Sequence, residues 1–260
     1  MPKTVDIEQR SQSLTDHLTD LRFRLVRALW GIMIAMAACY YFSDQIFDFI
    51  RTPIAPYLQG GGLVFTAPTD KFVAHIKVSF YAGLMLSFPF WFYQLWKFVA
   101  PGLYSKEKKY STAFVVVGTF LFLLGVCFAY FGVMPMAFRF LMNYGGAVDH
   151  PMITIDQYLS FFLTMCLMFG LSFELPLIIV ILGMLELVSA KFLRDSRRYA
   201  IVTLAILSAI ITPPDLLSMT LMFVPLVVLY EASIVFVAMF ERKRIREMDM
   251  LPSADIRGPS

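Results

Sequence analysis

Long apolar segments separated by short polar stretches dominate the chain, and they predict a bundle of membrane-spanning helices. A helix needs about 20 residues to cross a hydrocarbon core of about 30 Å. The apolar residues run continuously instead of alternating, which argues against a transmembrane β-barrel. The pattern therefore predicts an all-α membrane protein with six transmembrane helices. The six segments lie at about 25–42, 78–96, 113–134, 158–185, 199–211 and 216–240.

The fifth segment is shorter than the others. Its apolar part covers about 13 residues, which reach only ~20 Å at 1.5 Å per residue. We expect it to form a short hairpin arm with the sixth segment, turned at Thr212-Pro213-Pro214-Asp215. The last two spans are thus predicted to be short, with a thinner bilayer or a sheltered pocket on that side.

The distribution of Lys and Arg predicts the orientation. With six spans, 18 of the 22 basic residues fall on one side and 4 on the other. Since cytoplasmic loops carry the excess of positive charge, both termini are expected inside. The predicted domains are a cytoplasmic amphipathic segment at 1–24, a six-span membrane domain at 25–240 and a disordered cytoplasmic tail at 241–260. The polar first 20 residues resemble neither a removable signal peptide nor a transit peptide, which favours a bacterial origin.

The segment before the first span is amphipathic. Four leucines recur at helical spacing between positions 14 and 25, which predicts a helix lying at the cytoplasmic interface and running into the span. Asp20 and Arg24 stand four residues apart on it. One interpretation is an interfacial anchor with a local ion pair, and the other is that Asp20 accepts a cationic partner.

The first cytoplasmic loop combines an apolar start with one acid. Phe98-Val99-Ala100-Pro101 is more apolar than a plain connector needs, so it could be an interfacial foot or a docking surface. Glu107 is the only acid in the basic stretch that follows. It could simply balance charge, or it could bind a cation.

The fourth segment contains a lone carboxylate, Glu174, two residues before Pro176. An ionised carboxylate in hydrocarbon costs several kcal/mol, so such residues usually face a bundle interior or a wet cavity. Proline lacks an N–H and frees backbone groups one turn upstream. Glu174 is either a buried carboxyl satisfied by its neighbours or part of a functional site. A proton- or ion-coupled solute transporter would use it, but we find no internal repeat, the usual mark of that class.

Composition and motifs exclude several other classes. The formal charge of +3 gives no case for nucleic acid. The three cysteines and three histidines are scattered without metal-ligand spacing, and no catalytic triad, paired acids or phosphate loop is present. We therefore expect no enzyme activity, no cofactor and no metal.

Six ordered stretches resemble TatC, the multi-span receptor subunit of the twin-arginine protein translocase. Together they cover about residues 14–240. They are His17-Leu18-x-Asp20-Leu21-Arg22-x-Arg24, Tyr93-Gln94-x-Trp96-x-Phe98-x-Ala100-Pro101-x-Leu103-Tyr104-x-x-Glu107, Phe128-Ala129-Tyr130-Phe131, Tyr158-Leu159-Ser160-Phe161, Phe169-Gly170-x-Ser172-Phe173-Glu174-x-Pro176 and Thr212-Pro213-Pro214-Asp215.

The resemblance implies where a twin-arginine signal peptide binds. In the family, acids before the first span and in the first cytoplasmic loop meet the arginine pair, and here these are Asp20 and Glu107. Arg22 is expected to orient the acids, and Phe98 to pack against the apolar part of the signal. The family usually has Glu where this chain has Asp20, which is one methylene shorter. Bidentate pairing with carboxylate would favour Arg over Lys.

The resemblance also implies a deeper site and partners. Glu174 and Tyr130 correspond to the intramembrane polar site of the family, along a concave helix surface where the signal would insert. Pro53, Pro135 and Asp215 match positions on the external side, where turn geometry and helix capping are the simpler roles. The implied partners are the single-span subunits TatB and TatA, further copies of the chain and the lipid of the bacterial inner membrane, with energy from the proton gradient. The alternatives are the solute transporter and a structural scaffold without a ligand.

Overall fold

A computed structural model describes the backbone of residues 3–58, 62–99, 111–144, 152–212 and 215–249. Side chains are described for 19–58, 62–98, 112–144, 152–212 and 215–243. Within these ranges the secondary structure is helical apart from one isolated parallel bridge between Val64 and Thr154. The all-α prediction is confirmed.

Eleven α-helices, one 3-10 turn and one π turn follow each other through the described ranges. The first four helices are α1 Lys3–Tyr41, α2 Ser43–Arg51, α3 Asp70–Leu86 and α4 Phe88–Val99, with the 3-10 turn Ala55–Tyr57 after α2. Next come α5 Ser111–Cys127, the π turn Phe128–Val133, α6 Met134–Asn143, α7 Ile155–Ser172 and α8 Leu175–Met184. The last three are α9 Ala190–Asp195, α10 Arg197–Ile211 and α11 Leu216–Asp249.

The chain divides into two compact units, Met1–Gly170 and Leu171–Ser260. In the first unit α1 packs against α3 and α4, and α4 packs against α5. The crossing of α1 and α3 depends on Gly83, because a Cβ at this position would lie 2.6 Å from the backbone nitrogen of Met36. Phe88 of α4 stacks on Phe122 of α5 with ring centroids 3.8 Å apart, and both rings are buried.

The predicted second span is bent where α3 meets α4. The two helices form an angle of 54°. Pro89 is the second residue of α4, where a missing N–H costs no helical hydrogen bond. The indole Nε1 of Trp91 donates to the carbonyl oxygen of Leu84 at 3.0 Å, which ties the two arms together across the bend.

The second unit is built around α11, which packs against α8, α9 and α10. Arg197, the first residue of α10, donates to Glu231 of α11 at 2.6 Å. Glu174 takes the N-cap position of α8, with Pro176 in the first turn. This agrees with the helix interruption that the proline predicts.

The span count is settled only in part. In the described residues four helices are long and apolar enough to cross a membrane, or five if the bent pair of α3 and α4 counts as one span. Together with the TatC-like sequence, these helices make the chain a multi-pass membrane protein. α10 has 15 residues, close to the predicted fifth segment, and is shorter than a full crossing requires. The sixth crossing and the orientation remain predictions.

The helix α11 continues further than the sequence suggested. It runs to Asp249, whereas disorder was predicted from 241 onward. Residues 241–249 are rich in Glu, Arg and Lys, which are good helix formers and extend the helix beyond its apolar part. The rest of the predicted tail lies outside the described residues.

Candidate functional site

Asp20 lies on α1 and carries a partly open carboxylate. Its Oδ2 accepts a hydrogen bond from Nε of Arg24 at 2.7 Å. The side chain of Asp20 is 45 % exposed and that of Arg24 is 18 % exposed. The local ion pair predicted from the four-residue spacing therefore forms. It holds the carboxylate at the surface and leaves the other oxygen, Oδ1, available to a further donor.

The second predicted element of the signal site lies on α4. Phe98 is partly buried and is the last residue of α4 whose side chain is described. Since α4 packs against α1, the structure brings the helices of Asp20 and Phe98 together. Arg22 is exposed on α1. Glu107 lies outside the described residues, so its approach to Asp20 stays a prediction.

Glu174 is buried in the second unit. It is 4 % exposed, and neither carboxylate oxygen has a hydrogen-bond partner among the described residues. A lone ionised carboxylate in apolar surroundings costs several kcal/mol. The carboxyl is therefore a costly group at this position unless a partner outside the described residues reaches it.

Tyr130 belongs to the first unit, and its hydroxyl is engaged there. It donates to the carbonyl oxygen of Phe49 at 2.9 Å, and the two rings stack at 4.4 Å. The hydroxyl of Tyr158 donates to the carbonyl oxygen of Ile50, the residue that follows Phe49. Carbonyls in the last turn of a helix lack regular intrahelical partners. The carbonyl of Phe49 also accepts from the backbone N–H of Thr52 at 3.2 Å. Tyr130 and Tyr158, here called the tyrosine pair, therefore cap the C-terminal end of α2.

The tyrosine pair shows one contact of Tyr130, and its role in an intramembrane polar site stays a prediction. The sequence placed Tyr130 in an intramembrane polar site with Glu174, but the two residues belong to different units, each described by itself. What the structure shows for Tyr130 is a capping contact within the first unit. The π turn that carries Tyr130 widens the helix locally, and such turns are frequent at functional sites.

Three further contacts attach the start of α7 to the rest of the first unit. Lys77 of α3 forms an ion pair with Asp156 and donates to Oγ of Ser160 at 3.2 Å. The bridge between Val64 and Thr154 joins the segment before α3 to the segment before α7. Together with the tyrosine pair, these contacts hold α2, α3 and α7 in one arrangement.

The three residues matched to the external side lie at helix ends and turns. Pro53 follows α2 in the turn before the 3-10 turn, and Pro135 is in the first turn of α6. Asp215 caps α11, because its Oδ1 accepts from the backbone N–H of Ser218 at 2.7 Å. These placements agree with roles in turn geometry and capping.

Sequence reasoning missed the partners of the structural hydrogen bonds. No structural contact was predicted for Tyr158 or Lys77, although a tyrosine at the edge of an apolar run and a lysine close to a span are signals of such contacts. The same holds for Glu231 and Glu241 on α11. Among the described residues, no group of three or more His, Cys, Asp or Glu could hold a metal ion.

The class of protein follows from three features: apolar helices, a buried carboxyl, and a carboxylate on the helix that enters the first span. This is a multi-pass helical membrane protein with polar groups at its surface and inside its bundle. A family model described as "Sec-independent protein translocase protein (TatC)" matches residues 16–225. The chain belongs to the TatC family.

Two relatives align with this chain over most of its length. The TatC of Desulforapulum autotrophicum is 37% identical over 238 residues, covering 91% of this chain and 88% of that protein. The TatC of Carboxydothermus hydrogenoformans is 38% identical over 235 residues, covering 90% of this chain and 96% of that protein. Both relatives carry the name "Sec-independent protein translocase protein TatC". They give no support to the solute transporter.

The fold is also that of a solved relative. The crystal structure of the twin-arginine translocase receptor TatC superposes with a TM-score of 0.76 at 33% identity. The match covers 86% of this chain and 98% of that one. A second structure of the receptor, in DDM, gives a TM-score of 0.75 at 34% identity.

Proposed function

We propose that this chain is the receptor that binds twin-arginine signal peptides of folded precursor proteins at the cytoplasmic face. The observation that carries the proposal is the half-exposed carboxylate of Asp20 on α1, the helix against which α4 packs. Phe98 lies near the end of α4. A guanidinium can reach the open Oδ1 of Asp20, while Arg24 holds Oδ2. Glu107 supplies the second carboxylate, and Arg22 orients the two acids.

The two carboxylates explain selectivity for arginine. A guanidinium offers parallel N–H donors to a carboxylate, whereas an ammonium acts as a point charge. Arg24 donates only to Oδ2 of Asp20, so it holds the Asp20 side chain in place and leaves Oδ1 for the guanidinium of the signal. Phe98 then contacts the apolar part of the signal.

The remaining features of the proposal concern topology and partners. The chain lies in the bacterial inner membrane with six spans, both termini in the cytoplasm, and the domain limits 1–24, 25–240 and 241–260. TatB and TatA pack against its outer helices, with α10 and α11 as the contact for TatB, and the chain associates with further copies of itself. It acts without enzymatic chemistry, and transport is driven by the proton gradient.

Charge reversal at the loop acid tests the proposal. Glu107→Lys should abolish photocrosslinking of a twin-arginine precursor while membrane insertion of the chain stays intact. Asp195→Lys is the matched control, because Asp195 is an exposed acid on α9 outside the proposed site. The control should crosslink as the native chain does. Normal crosslinking of the Glu107→Lys chain would refute the assignment.

A further inference from the structure

One end of the second unit is held together by hydrogen bonds between α9 and α11. Oε1 of Glu241 accepts from the backbone N–H of Ala190 at 2.9 Å. The hydroxyl of Tyr230 donates to the carbonyl oxygen of Leu193 at 2.9 Å. Ala190, Leu193 and Tyr230 are buried, so the short helix α9 is fixed against the last turns of the apolar part of α11.

This arrangement gathers cations that are far apart in the sequence. Lys191 follows Ala190, and Arg242 follows Glu241, so the hydrogen bond between Ala190 and Glu241 places the two cations at the same end. Two more cations, Arg194 and Lys243, extend the group on either helix. All four side chains are exposed. We call this group the basic end, and its members are Lys191, Arg194, Arg242 and Lys243.

The acids nearby are mostly engaged in other contacts. Glu231 forms an ion pair with Arg197 at 2.6 Å, and Glu241 accepts the N–H of Ala190. Asp195 is exposed on α9, and Glu241 keeps its charge when it accepts a backbone N–H, so these two acids carry two negative charges against the four cations of the basic end. The end of the unit therefore carries positive charge that the described acids do not neutralise.

The basic end also lies where a helix leaves the hydrocarbon. The apolar part of α11 ends at Phe240, and the charged residues Glu241, Arg242 and Lys243 follow directly. Phe192 and Tyr199 are 58% and 63% exposed next to it, and the guanidinium of Arg198 lies over the ring of Tyr199 at 4.8 Å. Exposed aromatic rings next to cations are typical of the headgroup level of a membrane.

We propose that the basic end binds the headgroup phosphate of an anionic phospholipid. Arg and Lys side chains fixed on two helices can donate to the same phosphate diester, and the exposed ring of Phe192 contacts the acyl chain below it. The site lies on α9 and α11, and the proposal does not depend on recognition of a signal peptide. Basic residues that only set the orientation during insertion would show no lipid preference in the folded chain.

Lipid retention on the purified full-length chain tests the proposal. The chain is solubilised in a mild detergent, supplied with equal amounts of phosphatidylglycerol and phosphatidylcholine, and the bound lipids are counted by native mass spectrometry. The native chain should prefer phosphatidylglycerol. Lys191→Gln with Arg242→Gln should lower the preference by about fivefold for each cation removed, the effect of one basic side chain near an anionic surface.

The controls separate a site from diffuse charge. Lys71→Gln with Arg139→Gln removes one Lys and one Arg from exposed positions of the first unit and should leave the preference unchanged. Lys191→Arg with Arg242→Lys keeps both charges and should retain most of it, which guards against a folding defect in the neutral variant. An equal loss in the Lys71 and Arg139 control, or an unchanged preference in the neutral variant, would overturn the proposal. Displacement of the lipid by millimolar inorganic phosphate would do the same, since the site would then be one for free anions.

Discussion

The tyrosine pair makes a quantitative prediction for the substitution Tyr158→Phe. Tyr158 is 3 % exposed, and the carbonyl that it caps belongs to Ile50, which is 5 % exposed. Phenylalanine keeps the ring, so the contacts of this ring with Phe138 and Phe162 remain. The substitution therefore removes one hydroxyl and leaves a buried carbonyl oxygen at the end of α2 without a donor.

The expected cost follows from that orphaned carbonyl. A buried polar group left unsatisfied costs about 1–3 kcal/mol. Hydrogen bonds between membrane helices average only about 0.6 kcal/mol, with a maximum near 1.7. Ile50 is buried and its carbonyl has no intrahelical partner, so Tyr158→Phe should lower the free energy of unfolding by about 1–2 kcal/mol. Tyr130→Phe should cost less, because the carbonyl oxygen of Phe49 also accepts from the backbone N–H of Thr52 at 3.2 Å and Phe49 is 56 % exposed.

Reversible unfolding in mixed micelles measures these free energies. Tyr144→Phe is the matched control, since Tyr144 is 78 % exposed and its change should stay within about 0.5 kcal/mol. Hydrogen exchange adds a local measure, because the amides of α2 should exchange faster in the Tyr158→Phe chain. If Tyr158→Phe destabilises no more than the control and leaves exchange in α2 unchanged, the hydroxyl does not cap that helix.

Three further substitutions test other parts of the fold. Gly83→Ala should lower the free energy of unfolding by about 1–3 kcal/mol, because the added methyl meets the Met36 backbone, whereas Gly132→Ala meets only a ring at 3.7 Å and should be tolerated. Asp215→Ala should cost about 1 kcal/mol in the same unfolding assay through the lost cap of α11, and Asp215→Asn should restore most of it. Glu174→Leu should raise the free energy of unfolding, since it removes two unsatisfied carboxylate oxygens, but it should reduce precursor export in cells. Unchanged export would favour a purely structural role.

The apolar pattern predicted most of the helices because the bilayer leaves few alternatives. A long apolar segment must satisfy its own backbone hydrogen bonds, so it forms a helix wherever it lies in the bundle. The interruption at Pro176 and the short α10 followed from the same reasoning. Position along the sequence was thus a good guide to the type and approximate limits of each helix.

The contacts between helices could not be predicted in the same way. Nothing in the local pattern pairs Lys77 with Asp156, or aims the hydroxyls of Tyr130 and Tyr158 at adjacent carbonyls of α2. These contacts depend on which helix faces which, and residues some 80 to 110 positions apart in sequence meet only through packing. Residue chemistry also left two roles for Asp20 undecided, a local ion pair with Arg24 and the binding of a cationic ligand. The structure shows the pair with Arg24 but leaves one carboxylate oxygen available.

Binding of signal peptides to the purified chain in nanodiscs measures most directly whether carboxylates capture an arginine pair. Affinities of a peptide with two adjacent arginines and of its twin-lysine counterpart are compared for the native chain, Asp20→Asn, Glu107→Gln and the double variant. Hydrogen bonds to charged groups contribute about 1.5–3 kcal/mol, so the native chain should prefer the arginine peptide by about tenfold or more. That preference should shrink in each single variant and vanish in the double variant. A preference that survives in the double variant would show that other residues recognise the arginines.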